Sequence, residues 1–377
     1  MKVFVPIEHK SGERRIALTP ETIKKMVKKG LNVEVEPGAG DKAYLFDDAM
    51  TAAGATLGDG WSSADVVVKV TPPTAEETRR IQAGALLISF VAPHQERATV
   101  QALVDGKVNC LAMELVPRIT RAQSMDALSS QASIAGYRAV LLAAARLGKY
   151  FPLLMTAAGT IPPAKVVIMG AGVAGLQAIA TAKRLGAVVE VSDIRPVVQE
   201  QVESLGGKFI ELPLEESGEG EGGYAKQMGE DFLRKQREIV HRHVAAADVV
   251  ITTALVPGKK APMLVPASMV EAMQPGSVIV DLAVEQGGNC ELSRADEEVD
   301  HNGVIILGPS NLAAGMAHDA STLFGRNVLA LLEDVLDDEG KIVLDPESND
   351  VVAGALLTRD GEIFHPATAA AFEESGS

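Results

Sequence analysis

The sequence predicts an α/β protein with two domains, each built around a parallel sheet. Two observations predict this fold class. Short apolar runs rich in β-branched residues alternate with helical stretches, and the alternation occurs twice, on either side of a long helical segment. The length of 377 residues agrees with two domains, because a single hydrophobic core rarely grows beyond about 250–300 residues.

The first series of strands runs from the amino terminus to about Ala112. Helical stretches such as Pro20–Lys29 and Ala75–Ala83 lie between its strands. A helix that connects successive strands favours parallel pairing. The strand-like runs are Val3–Ile7, Val33–Glu36, Val66–Val70, Leu86–Phe90 and Val108–Ala112.

A long helix over Ser133–Lys149 is predicted to connect the two domains, because apolar residues recur there at helical spacing. The second series begins at Lys165 and contains six strand-like runs, the number in a doubly wound dinucleotide-binding fold. These runs are Val166–Met169, Val188–Ser192, Phe209–Ile210, Val249–Thr252, Val278–Asp281 and Val304–Leu307.

The carboxy-terminal segment is predicted to return to the first domain. A helix over Ala320–Leu336 and a strand-like tail follow the second series. We therefore expect a discontinuous first domain, 1–127 plus 320–377, and a second domain over 128–319. The stretch Glu215–Gly223, rich in Gly and Glu, has the composition of a mobile loop.

Composition excludes several functions. A net charge of −15 opposes nucleic-acid binding, which needs clustered Lys and Arg. Only Cys110 and Cys290 are present, in no metal-binding pattern, so we expect two inert thiols and no metal site. The amino terminus lacks a signal peptide, and no apolar stretch is long enough to span a membrane, which favours a cytoplasmic protein.

A glycine-rich turn follows the first strand of the second series. It reads Gly170-Ala-Gly172-Val173-Ala174-Gly175, between the strand and a predicted helix over Leu176–Leu185. Such a turn lets backbone approach a pyrophosphate, which the N–H groups and dipole of the helix then bind. A bare glycine pattern is weak evidence, but this strand–turn–helix context predicts a Rossmann-type dinucleotide site.

Asp193 ends the next strand, about 20 residues beyond the turn, where an acidic residue binds the adenosine ribose. Its carboxylate would repel the 2′-phosphate of NADP, so NAD(H) is the expected ligand. Ile194 and Arg195 follow and are included in the expected cofactor site. A cation at Arg195 works against the preference for NAD(H).

Four segments together resemble the soluble NAD(H)-binding component of proton-translocating nicotinamide nucleotide transhydrogenase, which belongs to its alpha subunit. They are the run MELVPRITRAQSMDALSS over 113–130, the turn 170–175, GGYAKQM over 222–228 and DLAVEQGGN over 281–289. The similarity extends along essentially the whole chain. Alanine dehydrogenase is a more distant relative with the same architecture.

The resemblance implies two Rossmann-like domains linked by long helices, with NAD(H) in the cleft between them. It implies direct hydride transfer between NADH and NADP+, the NADP(H) being held by a separate beta subunit. A membrane-spanning subunit couples this transfer to proton movement. The chain is then expected to form a homodimer, attached peripherally through its partners to the inner face of the plasma membrane.

The resemblance also implies the catalytic residues. Arg118, Gln123, Asp126 and Ser129 are expected beside the nicotinamide, its ribose and the pyrophosphate. Their chemistry suits the task, since Arg supplies a fork of donors, Gln donates and accepts, and Asp accepts. By themselves, Arg118, Gln123 and Asp126 would more often be solvated surface or a helix cap.

Tyr224, beside Gly223, belongs by resemblance to a loop that closes over bound nucleotide, which would exclude water. Gln236 and Leu255 are expected near the adenosine. Read alone, the tyrosine is a loop anchor, the glutamine a solvated helix residue and the leucine a core residue.

Two alternatives remain open. Arg15 and Lys69 fall where alanine dehydrogenases bind substrate, but the run 88–92 lacks that family's His, His94 is displaced, and Glu285 replaces an Asp. Amino-acid oxidation needs such a proton-transfer group. The other alternative is an NAD(H)-responsive module that catalyses no reaction.

Overall fold

The computed structural model describes residues 1–211, 230–256 and 259–374. The chain forms two compact units. Unit 1 comprises Met1–Gln131 and Ala313–Ser377, and unit 2 comprises Ala132–Leu312. Among the described residues, no helix combines the length and the apolar character needed to cross a membrane.

The strands, in chain order, are β1 (Lys2–Val5), β2 (Asn32–Val35), β3 (Thr56–Leu57), β4 (Val66–Val68), β5 (Leu86–Ser89), β6 (Asn109–Ala112), β7 (Leu154–Thr156), β8 (Gly159–Ile161), β9 (Lys165–Met169), β10 (Val188–Ser192), β11 (Lys208–Phe209), β12 (Val249–Thr252), β13 (Val278–Asp281), β14 (Glu298–His301), β15 (Val304–Leu307), β16 (Leu356–Arg359) and β17 (Glu362–Ile363).

The α-helices are α1 (Pro20–Lys28), α2 (Asp47–Ala52), α3 (Ala75–Arg80), α4 (Arg97–Asp105), α5 (Ala127–Arg146), α6 (Val173–Arg184), α7 (Gln199–Ser204), α8 (Glu230–Ala245), α9 (Ala267–Glu271), α10 (Ala317–Asp334), α11 (Asp350–Ala355) and α12 (Pro366–Glu374). Local chemistry sets several of these ends. At α1, for example, Thr19 forms a capping box with Thr22 and Pro20 occupies the first turn.

Unit 1 contains an eight-stranded sheet in the order β17-β16-β6-β5-β4-β1-β2-β3. Strands β1 to β6 are parallel, and β16 and β17 add antiparallel strands at one edge. In sequence order the parallel strands are arranged 3-2-1-4-5-6, the doubly wound order. Ile23 and Phe324 pack on one face, and Trp61 and Leu103 on the other.

Unit 2 contains a seven-stranded sheet in the order β11-β10-β9-β12-β13-β15-β14. Its six parallel strands are the six predicted for the second series, again arranged 3-2-1-4-5-6. Helices α5, α6 and α7 contribute to the core on one face, and α8 and α9 to the core on the other. The predicted α/β fold with two Rossmann-like sheets is confirmed.

Three features differ from the expectation of purely parallel sheets. β14 and the pair β16–β17 are antiparallel edge strands, and β7–β8 form a separate two-stranded hairpin. The connecting helix α5 begins at Ala127, six residues before the predicted start. The stretch Glu215–Gly223 lies outside the described residues.

Candidate dinucleotide-binding site

The site in unit 2 lies where the strand order of the sheet reverses. Strands β9 and β12 are neighbours, and the connections that follow them run in opposite directions along the sheet. Neighbouring connections therefore diverge at the carboxyl ends of these two strands. Open α/β sheets bind ligands in the crevice that this divergence leaves.

The glycine turn begins at the end of β9 and requires glycine at two of its positions. Gly170 has a φ of 103°, in the left-handed region that favours glycine. A Cβ on Gly175 would lie 1.9 Å from the Gly170 carbonyl oxygen, so only glycine lets α6 start this close to the turn. Their predicted roles in the turn and in helix–turn packing therefore have a geometric basis.

Gly172 precedes the first residue of α6, and its surroundings are open. A Cβ there would meet no described atom within 4 Å. The first N–H groups of a helix have no acceptor within the helix, so α6 offers donors beside this open backbone. Val173 is exposed and Ala174 is half-buried beside it, before the buried Gly175. The start of α6 fits a pyrophosphate by its chemistry and by its free space.

Asp193 follows β10 and is tied to the turn. Its Oδ2 accepts a hydrogen bond from the Ala171 N–H at 2.7 Å. Both carboxylate oxygens are also bonded by Arg195, through Nε at 3.0 Å, Nη2 at 2.9 Å and the backbone N–H at 2.9 Å. The carboxylate is thus saturated. Ribose hydroxyls could bind it only by displacing the Arg195 guanidinium, which sequence reasoning did not anticipate.

The loop after β12 lies beside the glycine turn. The Thr253 hydroxyl donates to the Gly170 carbonyl at 3.0 Å, and Leu255 is 39% exposed, which rules out a buried core position for it. Asn289 binds the backbone of Ala254. Sequence reasoning did not single out Asn289. The only signal was its place at the end of the run 281–289.

The remaining cofactor candidates of unit 2 are placed less completely. Ile194 is half-buried directly after Asp193. Gln236 lies on α8, but its side chain is outside the described structure. Gly223 and Tyr224 also lie outside the described residues.

In unit 1 the candidate residues surround the start of α5. Gln123 is exposed in a 3-10 helix over Thr120–Met125, and Arg118 is exposed just before it. Asp126 caps α5, accepting hydrogen bonds from the Ser129 N–H at 2.8 Å and the Ser129 hydroxyl at 2.6 Å. The helix-cap interpretation of Asp126 therefore describes the structure, with Ser129 as the donor.

The segment that carries Gln123 is anchored by residues on both sides of it. Asn327 on α10 donates from Nδ2 to the Ser124 carbonyl at 2.8 Å. Arg121 bonds Asp334 and Asp350, and its hydrogen bond lowers the pKa of the Asp350 carboxyl. Gln123 is thus presented to solvent on an anchored backbone.

The two cations of the alanine dehydrogenase alternative are both paired inside unit 1. Arg15 binds Glu13 through Nε at 2.8 Å and Nη2 at 2.7 Å. Lys69 lies 3.2 Å from a Glu77 oxygen and 3.4 Å from a Glu8 oxygen, with only 1% of its side chain exposed. A substrate carboxylate would have to compete with these internal carboxylates.

Both cysteines are buried. Burial raises the pKa of the Cys290 thiol to about 11 and that of Cys110 well above its usual value. Each is therefore a neutral thiol at physiological pH, in agreement with the expectation of inert core residues.

The strand order, the glycine turn and the acidic residue at the end of the second strand define unit 2 as a dinucleotide-binding domain. The whole chain belongs to the alanine dehydrogenase/PNT family. Residues 4–135 match the model of the family's N-terminal domain, and residues 139–366 match that of its C-terminal domain.

The chain is similar both to transhydrogenase components and to alanine dehydrogenases. A chain of Rhodospirillum rubrum, named as the first section of NAD(P) transhydrogenase subunit alpha, is 51% identical over 97% of this chain and 98% of its own length. The crystal structure of transhydrogenase from Sinorhizobium meliloti is 42% identical, with a TM-score of 0.85 over 97% of this chain and all of that one. Alanine dehydrogenase of Mycobacterium tuberculosis is 34% identical over 97% of this chain and 95% of its own.

Proposed function

We propose that the chain is the NAD(H)-binding component of a proton-translocating transhydrogenase. It would bind NADH, whose hydride passes directly to NADP+ on an NADP(H)-binding beta subunit, giving NAD+ and NADPH. A membrane-spanning subunit would couple this transfer to proton translocation. The chain would lie in the cytoplasm, attached to the inner face of the plasma membrane through these partners.

One observation carries this proposal. This chain is 51% identical along nearly its whole length to a named transhydrogenase subunit. In its structure, an open glycine turn and the amino terminus of α6 lie at the switch point of a doubly wound sheet. That arrangement suits the pyrophosphate of a dinucleotide without any basic side chain.

The preference for NAD(H) over NADP(H) is assigned to Asp193. Because Arg195 and the Ala171 N–H together saturate its carboxylate, we propose that ribose hydroxyls take over the bonds that the guanidinium makes. A 2′-phosphate could not do so, since two anions would meet. Ile194, Gln236 and Leu255 are proposed to line the adenosine side, next to Val173 and Ala174 of the turn.

Hydride transfer is assigned to orientation rather than to acid–base chemistry. We propose that Arg118 and Gln123 orient the nucleotide, while Asp126 and Ser129 keep the start of α5 in place through their cap. Tyr224 and Gly223 keep the role that the resemblance implies, a loop that excludes water. None of these groups needs to exchange a proton with a substrate.

A homodimer is supported by the hairpin β7–β8. An isolated two-stranded hairpin is marginally stable in water, yet this one exposes Met155 at 82%, and Leu153 beside it is exposed at 55%. A second copy of the chain would cover them.

We expect Met155→Asp to shift the mass measured by light scattering from dimer to monomer. Phe46→Asp, at an exposed phenylalanine of unit 1, is the control. An unchanged dimer would exclude the hairpin as the contact.

Alanine dehydrogenase remains the alternative enzyme. Its substrate would need Arg15 and Lys69, which are neutralised by Glu13, Glu8 and Glu77. We therefore expect no NADH formation from alanine and NAD+. Robust alanine oxidation would replace the transhydrogenase proposal.

The decisive experiment mixes the chain with an NADH analogue of distinct absorbance, NADP+ and the beta subunit, and follows the spectrum. Hydride transfer is expected only when the beta subunit is present. Transfer without it would contradict the proposal, and no transfer with it would favour the non-catalytic NAD(H)-responsive module.

Gln123→Asn and Tyr224→Phe should slow hydride transfer more than they weaken NADH binding.

Nucleotide choice is tested by binding alone. Asp193→Ala should weaken NADH binding about tenfold and narrow the preference over NADPH. Asp248→Ala is the matched control, because Asp248 bonds the Lys165 N–H at the amino end of β9, the opposite edge of the same sheet. Equal effects from both variants would remove Asp193 from the site.

A further inference from the structure

A chain of hydrogen bonds connects the loops that follow three neighbouring strands of unit 2. β9, β12 and β13 are adjacent in the sheet, so their carboxyl ends lie side by side. The first link is Thr253, whose hydroxyl donates to the Gly170 carbonyl at 3.0 Å and whose N–H donates to the Met169 carbonyl at 2.9 Å. The loop after β12 is thus fastened to the glycine turn.

Asn289 forms the second link and is fully buried. Its Oδ1 accepts from the Ala254 N–H at 3.0 Å, while its Nδ2 donates to the Ala254 carbonyl at 2.9 Å and to the Pro262 carbonyl at 2.8 Å. Both backbone groups of one residue are bound by one side chain. Only a primary amide offers an acceptor and two donors in this arrangement.

Asp281 holds Asn289 in place. This buried carboxylate accepts from the Asn289 N–H at 2.9 Å, the Cys290 N–H at 3.0 Å and the Ser293 hydroxyl at 2.6 Å. Its other oxygen, Oδ1, accepts a hydrogen bond at 2.9 Å from the hydroxyl of Thr252, which is the last residue of β12. The loop after β13 is therefore tied both to its own strand and to the neighbouring one.

Glycine allows the chain to reach this position. Gly288 has a φ of 76°, and a Cβ on it would lie 2.9 Å from Oδ2 of Asp281 and 2.7 Å from the Ser293 hydroxyl. A side chain there would enter the space of the carboxylate and its donors. The backbone can therefore deliver Asn289 to Ala254 only because position 288 is glycine.

We propose that Asn289 is a positioning residue for the dinucleotide. It sets the backbone of Ala254, and with it the partly exposed Leu255, relative to the glycine turn, without touching the nucleotide itself. The inference rests on the proposed binding of NAD(H) at the turn. It adds a determinant of affinity that lies behind the site, on a loop from a different strand.

The test is an isosteric change, Asn289→Asp. A carboxylate can accept a hydrogen bond from the Ala254 N–H but cannot donate to the carbonyls of Ala254 and Pro262. Its negative charge would instead face these two carbonyl oxygens. We expect the dissociation constant for NADH, measured by fluorescence titration well below the melting temperature, to rise about tenfold. Ser277→Ala is the control, because it removes a buried hydroxyl bond to the Ala247 carbonyl at the amino end of β13.

A purely structural role for Asn289 predicts a different result. Both variants would then lower the melting temperature and leave the dissociation constant for NADH unchanged, which would overturn the proposal. If Asn289→Asp does not fold, the same chain of hydrogen bonds is tested at Thr253. Thr253→Val, which lacks the hydroxyl, should weaken NADH binding, whereas Thr253→Ser, which keeps it, should bind NADH as the wild type does. Equal affinity of the two variants for NADH would overturn the proposal.

Wild-type and Asp193→Ala measurements separate this inference from the proposed function. If the wild-type chain does not bind NADH, the proposed function fails. If the wild-type chain binds, Asp193→Ala weakens binding and Asn289→Asp does not, only the positioning role fails.

Discussion

The two sheets have the same order of parallel strands but differ at the switch point. In unit 1, Glu8 follows β1 and accepts hydrogen bonds from the backbone and hydroxyl of Thr71, beyond the end of β4, with Lys69 3.4 Å away. In unit 2, Gly170 and Gly172 follow β9, and the space beside Gly172 is open.

The difference shows that strand order creates a crevice but does not keep it available. In unit 1 an internal carboxylate takes the N–H groups and the ammonium that a bound anion would use. In unit 2 residues without bulk leave the corresponding donors of α6 accessible. In this chain, the helix donors remain accessible at the switch point of unit 2, where no side chain occupies the space beside Gly172.

The largest expected effect comes from emptying the crevice of unit 1. In Glu8→Ala, the buried Lys69 keeps only one of its two carboxylate partners, and two backbone N–H groups lose their acceptor. The substitution should therefore lower the free energy of unfolding by about 3–5 kcal/mol. Urea denaturation measures this loss. Glu21→Ala, which breaks an exposed ion pair with Arg326, should cost less than about 1 kcal/mol. Similar losses in both would contradict a structural role for Glu8.

The next effect comes from filling the turn of unit 2. Gly175→Ala places a methyl group 1.9 Å from the Gly170 carbonyl oxygen, so α6 must shift. We expect a loss of about 3 kcal/mol in stability and the loss of measurable NADH binding. Thermal denaturation and fluorescence titration report the two effects. A stable variant with normal affinity would show that the turn tolerates bulk.

A smaller effect is expected where the turn is open. Gly172→Ala adds a methyl group that meets no described atom within 4 Å, so stability should stay unchanged while NADH affinity falls about tenfold. The reason is that the methyl group occupies space intended for the nucleotide. Gly148→Ala, at another open glycine of unit 2, should change neither quantity. Loss of stability without loss of affinity at Gly172 would argue against an open site.

The smallest effect concerns a second buried carboxyl at the carboxyl edge of unit 1. Burial raises the pKa of Glu114, although the N–H groups of Val91 and Ala92 oppose the shift. The folded state therefore binds the Glu114 proton up to a higher pH than the unfolded chain does. The stability that this protonated carboxyl contributes is lost as the pH rises from 4.5 through the folded pKa. Glu114→Gln cannot titrate, so its stability relative to wild type, measured by urea denaturation, should increase as the pH rises above 4.5. A constant difference would contradict the raised pKa.

Much of unit 2 was predictable because its signals are local. The runs Val249–Thr252 and Val278–Asp281 are strands with the predicted bounds, since their four residues are all apolar or β-branched apart from the final Asp. The turn and Asp193 could be found by spacing, because a strand, a turn and a helix that follow each other in sequence also follow each other in space.

Other features depended on partners far along the chain. Glu8 meets Thr71, Asn289 meets Ala254, and β16 returns to pair with β6. A sequence pattern does not reveal such pairs, because the register across the sheet decides which loops meet. The saturation of Asp193 by Arg195 also escaped prediction, although the two are close in sequence, because it depends on side-chain conformation.

The sequence by itself determined the fold class, the position of the phosphate-binding turn and the resemblance to transhydrogenase components. All three depend on residues that are adjacent in the chain or on overall similarity. Only the tertiary structure decided which of the two crevices is open. The physical reason is that a buried charge must be paired with a partner or with a ligand. In unit 1 the fold brings Glu8 to Lys69, whereas in unit 2 it leaves the donors of α6 beside open space.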